Sequence, residues 1–239
     1  MPHLALLSAM IVLCADAGAA RAAPPPSAVA DAAPAIKITR PAPVETAPKA
    51  ASAALVFASE SDEAVVERVL SYLDAVTTFT ADFTQFAPSG AMSTGKFYLR
   101  RPGLLRFEYN DPSPLLIVAT GGTVFVRDEA LETTDSYPVG KTPLKFLLRK
   151  KVDFGDFEVK NVDRGVDSVA VTFASSDEDD AAGEISIILK APALELSEWI
   201  VRDEQNGVTT VSLNNVTEGA SIANRLFAAP RSDTPFLKN

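Results

Sequence analysis

The chain has 239 residues, and its 31 aspartates and glutamates outnumber its 22 lysines and arginines, which sets the formal net charge at −9. This acidic balance, without a basic cluster, argues against nucleic acid as a partner, and anionic membrane surfaces would repel the protein. The single cysteine, Cys14, excludes a disulfide bond within the chain.

Residues 1–23 are predicted to be a secretory signal peptide. The run from Leu4 to Leu13 is apolar but too short to span a bilayer, and Ala20-Arg21-Ala22 has the small-x-small pattern of a cleavage site. Cys14 leaves a membrane-anchored lipoprotein as a second interpretation, although Leu13 precedes it where a lipoprotein signal needs a small residue. We therefore expect export across the cytoplasmic membrane.

Cleavage of this segment removes both His3 and Cys14, the only histidine and the only cysteine of the chain. The mature protein then has no imidazole and no thiol, which excludes cysteine nucleophiles, Ser-His-Asp triads and the usual zinc sites. Only catalysis by carboxylates or lysines remains. We expect a protein that is not an enzyme and needs no metal or cofactor.

Residues 24–58 are rich in proline and alanine and have almost no aromatic side chains. This composition predicts a disordered, partly polyproline leader. The remaining residues, 59–239, are predicted to form one domain, which is long enough to bury a sizeable core.

An amphipathic helix is predicted at residues 59–76. Acidic side chains lie in its first turn, as is typical of a helix start. Its apolar residues recur at helical spacing and form one broad face: Val65, Val66, Val69, Leu70, Leu73 and Val76. Taken alone, such a face would be part of the core of any α+β domain.

About eleven strands follow the helix, most of them joined by short turns. They are predicted at residues 79–86, twice within 95–109, and at 115–119, 124–127, 131–137, 157–162, 168–174, 184–190, 194–202 and 208–213, with a short helix at 144–150. Gly121-Gly122 between two of them is a hairpin signal. The pattern predicts an α+β fold in which an antiparallel sheet curls on itself and a helical layer covers its inner face.

The segment GKFYLRRPGLLRFEY at residues 95–109 contains an unusual arginine. Phe97, Leu99 and Arg101 fall on one face of a strand, and Pro102 forces a bend or a turn directly after them. An arginine on an apolar face is costly unless it is paired or lies at a rim. Without further information, Arg101 would be a surface residue that extends from the strand end into water.

The helix, the stretch FTADFTQ at residues 79–85 and the segment at 95–109 resemble the LolA family of periplasmic outer-membrane lipoprotein carriers. The order of elements continues to match through Pro143-Leu144 to Phe227 and Pro230. The resemblance implies an unclosed β-barrel, or half-barrel, with helices that form a lid over a hydrophobic cavity.

The resemblance also implies a function. Its cargo would be the acyl chains of lipoproteins released from the inner membrane, carried through the periplasm by a monomer. An ABC-type extractor in the inner membrane would supply this cargo, and an acceptor on the outer membrane would receive it. A lipid- or lipoprotein-sensing interaction module on the same half-barrel is the alternative function.

Individual site residues follow from the same resemblance. Arg101, with Pro102, matches the family's latch, which hydrogen-bonds to the backbone of the lid helix in the closed, empty state. Leu105 matches a position near the cavity mouth that contacts partners. The acyl-chain cavity is assigned to Val66, Val69, Leu73, Phe83, Phe97, Leu99 and Phe107. Trp199 is predicted to pack within its strand, and its second interpretation is a position in the cavity wall.

Two further motifs have plain structural interpretations. Ser93 and Lys96 fit the Ser-x-x-Lys pattern of penicillin-recognising enzymes, but that chemistry needs a helix where a strand follows here. The acidic run 177–180 could attract Ca²⁺, but it lacks the glycine spacing of a calcium loop and is predicted to be a solvated hairpin tip.

Overall fold

The structure is a computed structural model that describes residues 54–151, 157–175 and 183–230. The predicted signal peptide, most of the predicted leader and the acidic run 177–180 lie outside the described residues. None of the described helices is both long enough and apolar enough to cross a membrane.

Eleven strands form one antiparallel sheet. They are β1 (Thr78–Phe86), β2 (Met92–Arg100), β3 (Leu104–Tyr109), β4 (Leu115–Thr120), β5 (Thr123–Asp128), β6 (Thr133–Pro138), β7 (Phe157–Arg164), β8 (Ser168–Ser175), β9 (Gly183–Lys190), β10 (Glu195–Asp203) and β11 (Val208–Glu218). Their order in the sheet is β6-β5-β4-β3-β2-β1-β11-β10-β9-β8-β7. Within the described residues the edge strands β6 and β7 do not pair, so the predicted half-barrel is confirmed.

Short turns explain why neighbouring strands in the sequence pair in the sheet. Between β4 and β5 the chain reverses over two residues, Gly121 and Gly122, whose φ angles are 58° and 79°. Glycine adopts these positive values without steric cost, and the two-residue turn then brings Thr120 opposite Thr123. The hairpin signal in the sequence therefore corresponds to a real hairpin.

The concave face of the sheet contains the hydrophobic core. Side chains alternate along β1, so that Phe79, Ala81 and Phe83 are buried while their neighbours are only half-buried. β2 continues this face with Gly95, Phe97 and Leu99. The period of two thus places one apolar surface inside the curl of the sheet.

The covering helix α1 (Asp62–Ala75) lies against this surface and buries Val65, Val66, Val69, Leu70 and Leu73. It begins three residues later than predicted, because the Ser61 hydroxyl caps it by accepting a hydrogen bond from the Ala64 N–H at 3.3 Å. Just before it, the Val56 N–H donates to the Gly165 carbonyl at 2.9 Å, and Val56 and Phe57 pack against the core.

The second helix, α2 (Lys145–Leu148), is a single turn and is shorter than the predicted 144–150. It ends because Arg149 already has an extended backbone, with ψ at 148°. The strand predicted from residue 131 begins at Thr133 instead. Its predicted first residue, Leu131, is 71% exposed in a turn where the Asp128 carboxylate accepts from the N–H groups of residues 130 and 131.

A short 3₁₀ segment (Asn224–Phe227) packs outside the sheet, against β3 and β4. Arg100 donates to Asn224 Oδ1 at 2.8 Å, and Arg106 donates to the Leu226 carbonyl at 3.3 Å. The side chains of these two arginines lie on the convex face of the sheet, opposite to Arg101. They attach the 3₁₀ segment to that face.

Candidate functional site

An aromatic cluster occupies the concave face beneath α1. The ring centroid of Phe97 lies 4.7 Å from that of Phe107 and 5.5 Å from that of Trp199. Phe83 adds an edge-on contact with Phe107 at 5.2 Å. Trp199, which is 2% exposed, points inward from β10 and therefore lies within this cluster. Such offset and edge-on ring pairs are the favoured aromatic geometries.

The residues assigned to the acyl-chain cavity come together in space. All seven are buried in one hydrophobic cluster, with contributions from α1 and strands β1, β2 and β3: Val66, Val69, Leu73, Phe83, Phe97, Leu99 and Phe107. These side chains are apolar, so each could contact an acyl chain in place of its present apolar neighbours. In this structure these side chains are buried together in one cluster.

Sequence reasoning missed a second aromatic group beneath α2. Phe146 of α2 packs on Phe157 at 5.1 Å and on Phe173 at 4.9 Å, measured between ring centroids. Two cations also lie over Phe157, with the Lys145 Nζ at 5.1 Å and the Arg149 Cζ at 5.6 Å from its ring centroid. The sequence shows one phenylalanine in the predicted short helix and one in each of two predicted strands, but nothing in it indicates that these three rings meet.

Among the described residues, the space enclosed between the two helices and the sheet is small. A cavity between α1, α2 and the sheet has a volume of about 10 Å³, which is room for about one water molecule. Leu73, Leu99, Arg101 and Phe146 are among the residues that line it. An acyl chain would fit at this point only if the helices moved away from the sheet.

Arg101 joins the β2–β3 turn to both helices. Its side chain is 6% exposed. Nη1 donates to the Leu73 carbonyl in the last turn of α1, and Nε donates to the Arg149 carbonyl, just after α2, at 2.7 Å. Next to this side chain, the Gly103 N–H donates to the Leu148 carbonyl at 2.9 Å. The turn after β2 thus holds both helices on the sheet.

The charge of Arg101 is only partly compensated. Its Nη2 lies 3.8 Å from Asp74 Oδ1 and makes no hydrogen bond within the described residues. Burial lowers the pKa of Arg101, and the negative charge of Asp74 opposes this effect. Hydrogen bonds from a charged group contribute about 1.5–3 kcal/mol each. A buried arginine that bonds to two helix ends is therefore a strong but breakable connection.

The other two residues singled out around the turn differ in exposure. Pro102 is exposed in the turn. Leu105 is fully buried, because it pairs with Leu99 and faces the core from β3. A partner could reach Leu105 only after the helices had moved.

The sequence reasoning also missed two other attachments of α1. The Tyr72 hydroxyl donates to the Glu218 carboxylate and accepts from the Leu196 N–H at 2.9 Å. Near the start of the helix, Arg164 pairs with Asp62 at 2.6 Å. These partners lie 146, 124 and 102 residues apart in the chain, so no local sequence pattern could reveal them.

A groove of about 390 Å³ runs between the first half of α1 and the edge strand β7. Its floor is apolar, with Val66, Val159 and Val162, and Asp62 and Lys160 line its polar rim. The groove adjoins the covering helix, so any movement of α1 would change its shape.

The chain is similar in sequence and in fold to known proteins. A family model described as outer membrane lipoprotein carrier protein LolA matches residues 74–230. The outer-membrane lipoprotein carrier protein of Methylococcus capsulatus is 28% identical over 180 residues, or 72% of this chain and 86% of that protein. The protein of the same name from Methylibium petroleiphilum is 34% identical over 118 residues, or 45% of this chain and 58% of that protein. A solved LolA superfamily structure from Nitrosomonas europaea aligns with a TM-score of 0.40 at 9% identity, over 68% of this chain and 96% of that chain.

Proposed function

Because this chain belongs to the LolA family of outer-membrane lipoprotein carrier proteins, we propose that it transports lipoproteins through the periplasm with their acyl chains inside the half-barrel. The observation that carries this proposal is the apolar cluster beneath two helices, both of which Arg101 connects to the sheet. Carriage needs a binding surface of this kind and no reacting group.

The energetics of acyl chains indicate what else the protein needs. Each buried methylene group is worth about 0.8 kcal/mol, so several acyl chains amount to tens of kcal/mol and do not leave a membrane spontaneously. We therefore propose that an ABC-type extractor in the inner membrane supplies the cargo. An acceptor on the outer membrane would then bind the acyl chains more favourably than this protein does.

We propose that Arg101, supported by the turn at Pro102, is the latch of the closed state. Its bonds to the Leu73 and Arg149 carbonyls stabilise the empty protein and would be lost when acyl chains lift the helices. The seven residues of the apolar cluster would then contact the acyl chains. Leu105 would become accessible to a partner in the same step.

Extraction from membranes tests the carrier function. Inner-membrane vesicles that contain lipoproteins and an active extractor are incubated with the purified protein and ATP, and the vesicles are then removed by sedimentation. We expect soluble complexes of lipoprotein and this protein. Lipoproteins that stay in the vesicles, while a carrier known to work with the same extractor releases them, would refute the proposal.

Substitution of the latch gives a more specific prediction. Arg101→Leu removes the two bonds that favour the empty state. Delivery to the acceptor should therefore become at least about 10-fold less favourable, because the loss of even one such bond costs about 1.5–3 kcal/mol. The measurement is the fraction of bound lipoprotein transferred to acceptor-containing membranes.

The neighbouring arginine provides the matched control. Arg100 lies one residue away but bonds to Asn224 on the convex surface, so Arg100→Leu should deliver its cargo as the wild-type protein does. Normal delivery by Arg101→Leu would contradict the latch.

A further inference from the structure

We propose that Tyr72 is a second latch of the covering helix, bound to the half of the sheet opposite Arg101, and that acyl chains must release both residues to enter. This inference rests on the proposed function for its role in transport. The closure of the helix itself can be measured without any lipid.

The Tyr72 hydroxyl makes two hydrogen bonds to two different strands. It donates to the Glu218 carboxylate at the end of β11, and it accepts from the Leu196 N–H near the start of β10. The register between β9 and β10 shifts directly after Leu196, so this amide lies at an irregular point of the sheet. One side chain of α1 thus contacts the ends of two strands.

The two latches lie on opposite sides of the central strand β1. In the sheet, β2 and β3 flank β1 on one side, and β11 and β10 flank it on the other. Arg101 extends from the turn between β2 and β3 to Leu73, and the adjacent residue Tyr72 reaches β10 and β11. If only one of these attachments broke, the last turns of α1 would remain bound through the other.

The surroundings of Tyr72 keep its hydroxyl available as a donor. Burial raises the pKa of Tyr72, and the hydrogen bond to the Glu218 carboxylate raises it further. The half-buried ring packs against the hydrophobic core, so part of its contribution is ordinary packing. A substitution that keeps the ring and removes the hydroxyl separates the latch from that packing.

The chain contains a built-in probe of helix opening. Trp199 is its only tryptophan and lies buried in the aromatic cluster beneath α1. When the helix lifts, the indole becomes accessible to acrylamide, which quenches its fluorescence. Without denaturant, this quenching reports local opening, because global unfolding is far rarer.

The experiment compares acrylamide quenching of the empty wild-type protein with that of Tyr72→Phe and Glu218→Ala. Loss of one hydrogen bond to a charged group is expected to raise the quenching constant at least about tenfold in Tyr72→Phe. Glu218→Ala tests the same bond from the other side and should change quenching in the same direction. Tyr98→Phe, which removes a hydroxyl on the outer face of β2, is the control and should match the wild type.

The outcomes are distinct. Increased quenching in Tyr72→Phe and Glu218→Ala, with Tyr98→Phe unchanged, supports the second latch. Wild-type quenching in Tyr72→Phe, or an equal increase in Tyr98→Phe, overturns it. Lipoprotein capture is measured separately, so a protein that captures none would refute the carrier function while the quenching result still decides the latch.

Discussion

Arg101 illustrates how a charge can be placed on an apolar strand face. Its period-of-two position puts it with Phe97 and Leu99, where an unpaired charge would be expensive. Bonds to the Leu73 and Arg149 carbonyls, together with the nearby Asp74, offset that cost. The carbonyl groups at helix ends have no partner within the helix, so the arginine satisfies acceptors that would otherwise be buried without a donor.

Gly95 is a residue for which close approach, rather than backbone conformation, requires glycine. A Cβ atom built on Gly95 would lie 2.1 Å from the Glu108 carbonyl oxygen and 2.6 Å from a ring carbon of Phe83. Neither the strand backbone nor the buried ring has room to retreat. Gly95 thus allows the Phe83 ring to lie directly against the backbone of β2.

We therefore expect Gly95→Ala to lower the free energy of unfolding by about 1–3 kcal/mol, the usual cost of overpacking a core. Urea unfolding followed by circular dichroism measures this difference. Gly140→Ala is the control, because a Cβ atom at Gly140 meets nothing within 4 Å. A stability of Gly95→Ala equal to that of the control would show that the ring and strand can shift after all.

At the scale of secondary structure, the pairing of β1 with its two neighbours includes a polar network on the convex face. The Asp82 carboxylate accepts from Asn215 Nδ2 of β11 at 2.7 Å and pairs with Lys96 of β2. The hydrogen bond from Asn215 and then the one from Lys96 lower the pKa of Asp82. This network links β2, β1 and β11, three neighbouring strands at the centre of the sheet.

The lowered pKa predicts a pH dependence of stability. A carboxylate whose pKa is lower in the folded than in the unfolded state contributes stability above its unfolded pKa of about 3.9, and this contribution is lost as the pH falls through the folded value. Because the Asp82 side chain is 35% exposed and therefore partly screened by water, the contribution should stay below about 1 kcal/mol.

Asp82→Asn should therefore lose less stability than the wild-type protein between about pH 5 and pH 3, as measured by urea unfolding at each pH. Asn215→Ala removes the main donor and should weaken the same pH dependence. Identical pH profiles for all three proteins would exclude Asp82 as a contributor.

The presence of each helix and strand could be predicted, because it depends on a local pattern in the sequence. The residues at which these elements begin and end could not. Each of the eleven predicted strands corresponds to an observed strand because the alternation in segments such as 79–86 is local. The start of α1 depended on Ser61, rather than Ser59, reaching the Ala64 N–H. Leu131 was assigned to a strand by its apolar character, but the Asp128 carboxylate stabilises a turn there.

At the scale of the whole molecule, the tight packing of α1 and α2 on the sheet means that the proposed loading with acyl chains would require a structural change. The cavity of about 10 Å³ between α1, α2 and the sheet cannot accept an acyl chain, so under the proposed carrier function the two helices would move to expose the aromatic cluster. Trp199 would then exchange its protein neighbours for acyl chains.

Loading with a triacylated lipopeptide is therefore expected to change the emission of Trp199 in a saturable manner. Fluorescence titration of the purified protein measures this change, with Trp199→Phe to confirm its source. Constant emission despite lipopeptide binding would place the acyl chains elsewhere, for example in the groove beside β7.

The sequence by itself determined the helix followed by strands, the apolar faces and the odd position of Arg101, because these follow from spacing over a few residues. Its resemblance to the carrier family also pointed to the half-barrel and to the seven residues that prove to be buried together. Only the tertiary structure decided which groups Arg101 and Tyr72 bind and that Leu105 is buried. Those contacts join residues 28 to 146 positions apart, and such pairs meet only after the sheet has curled and the helices have packed on it.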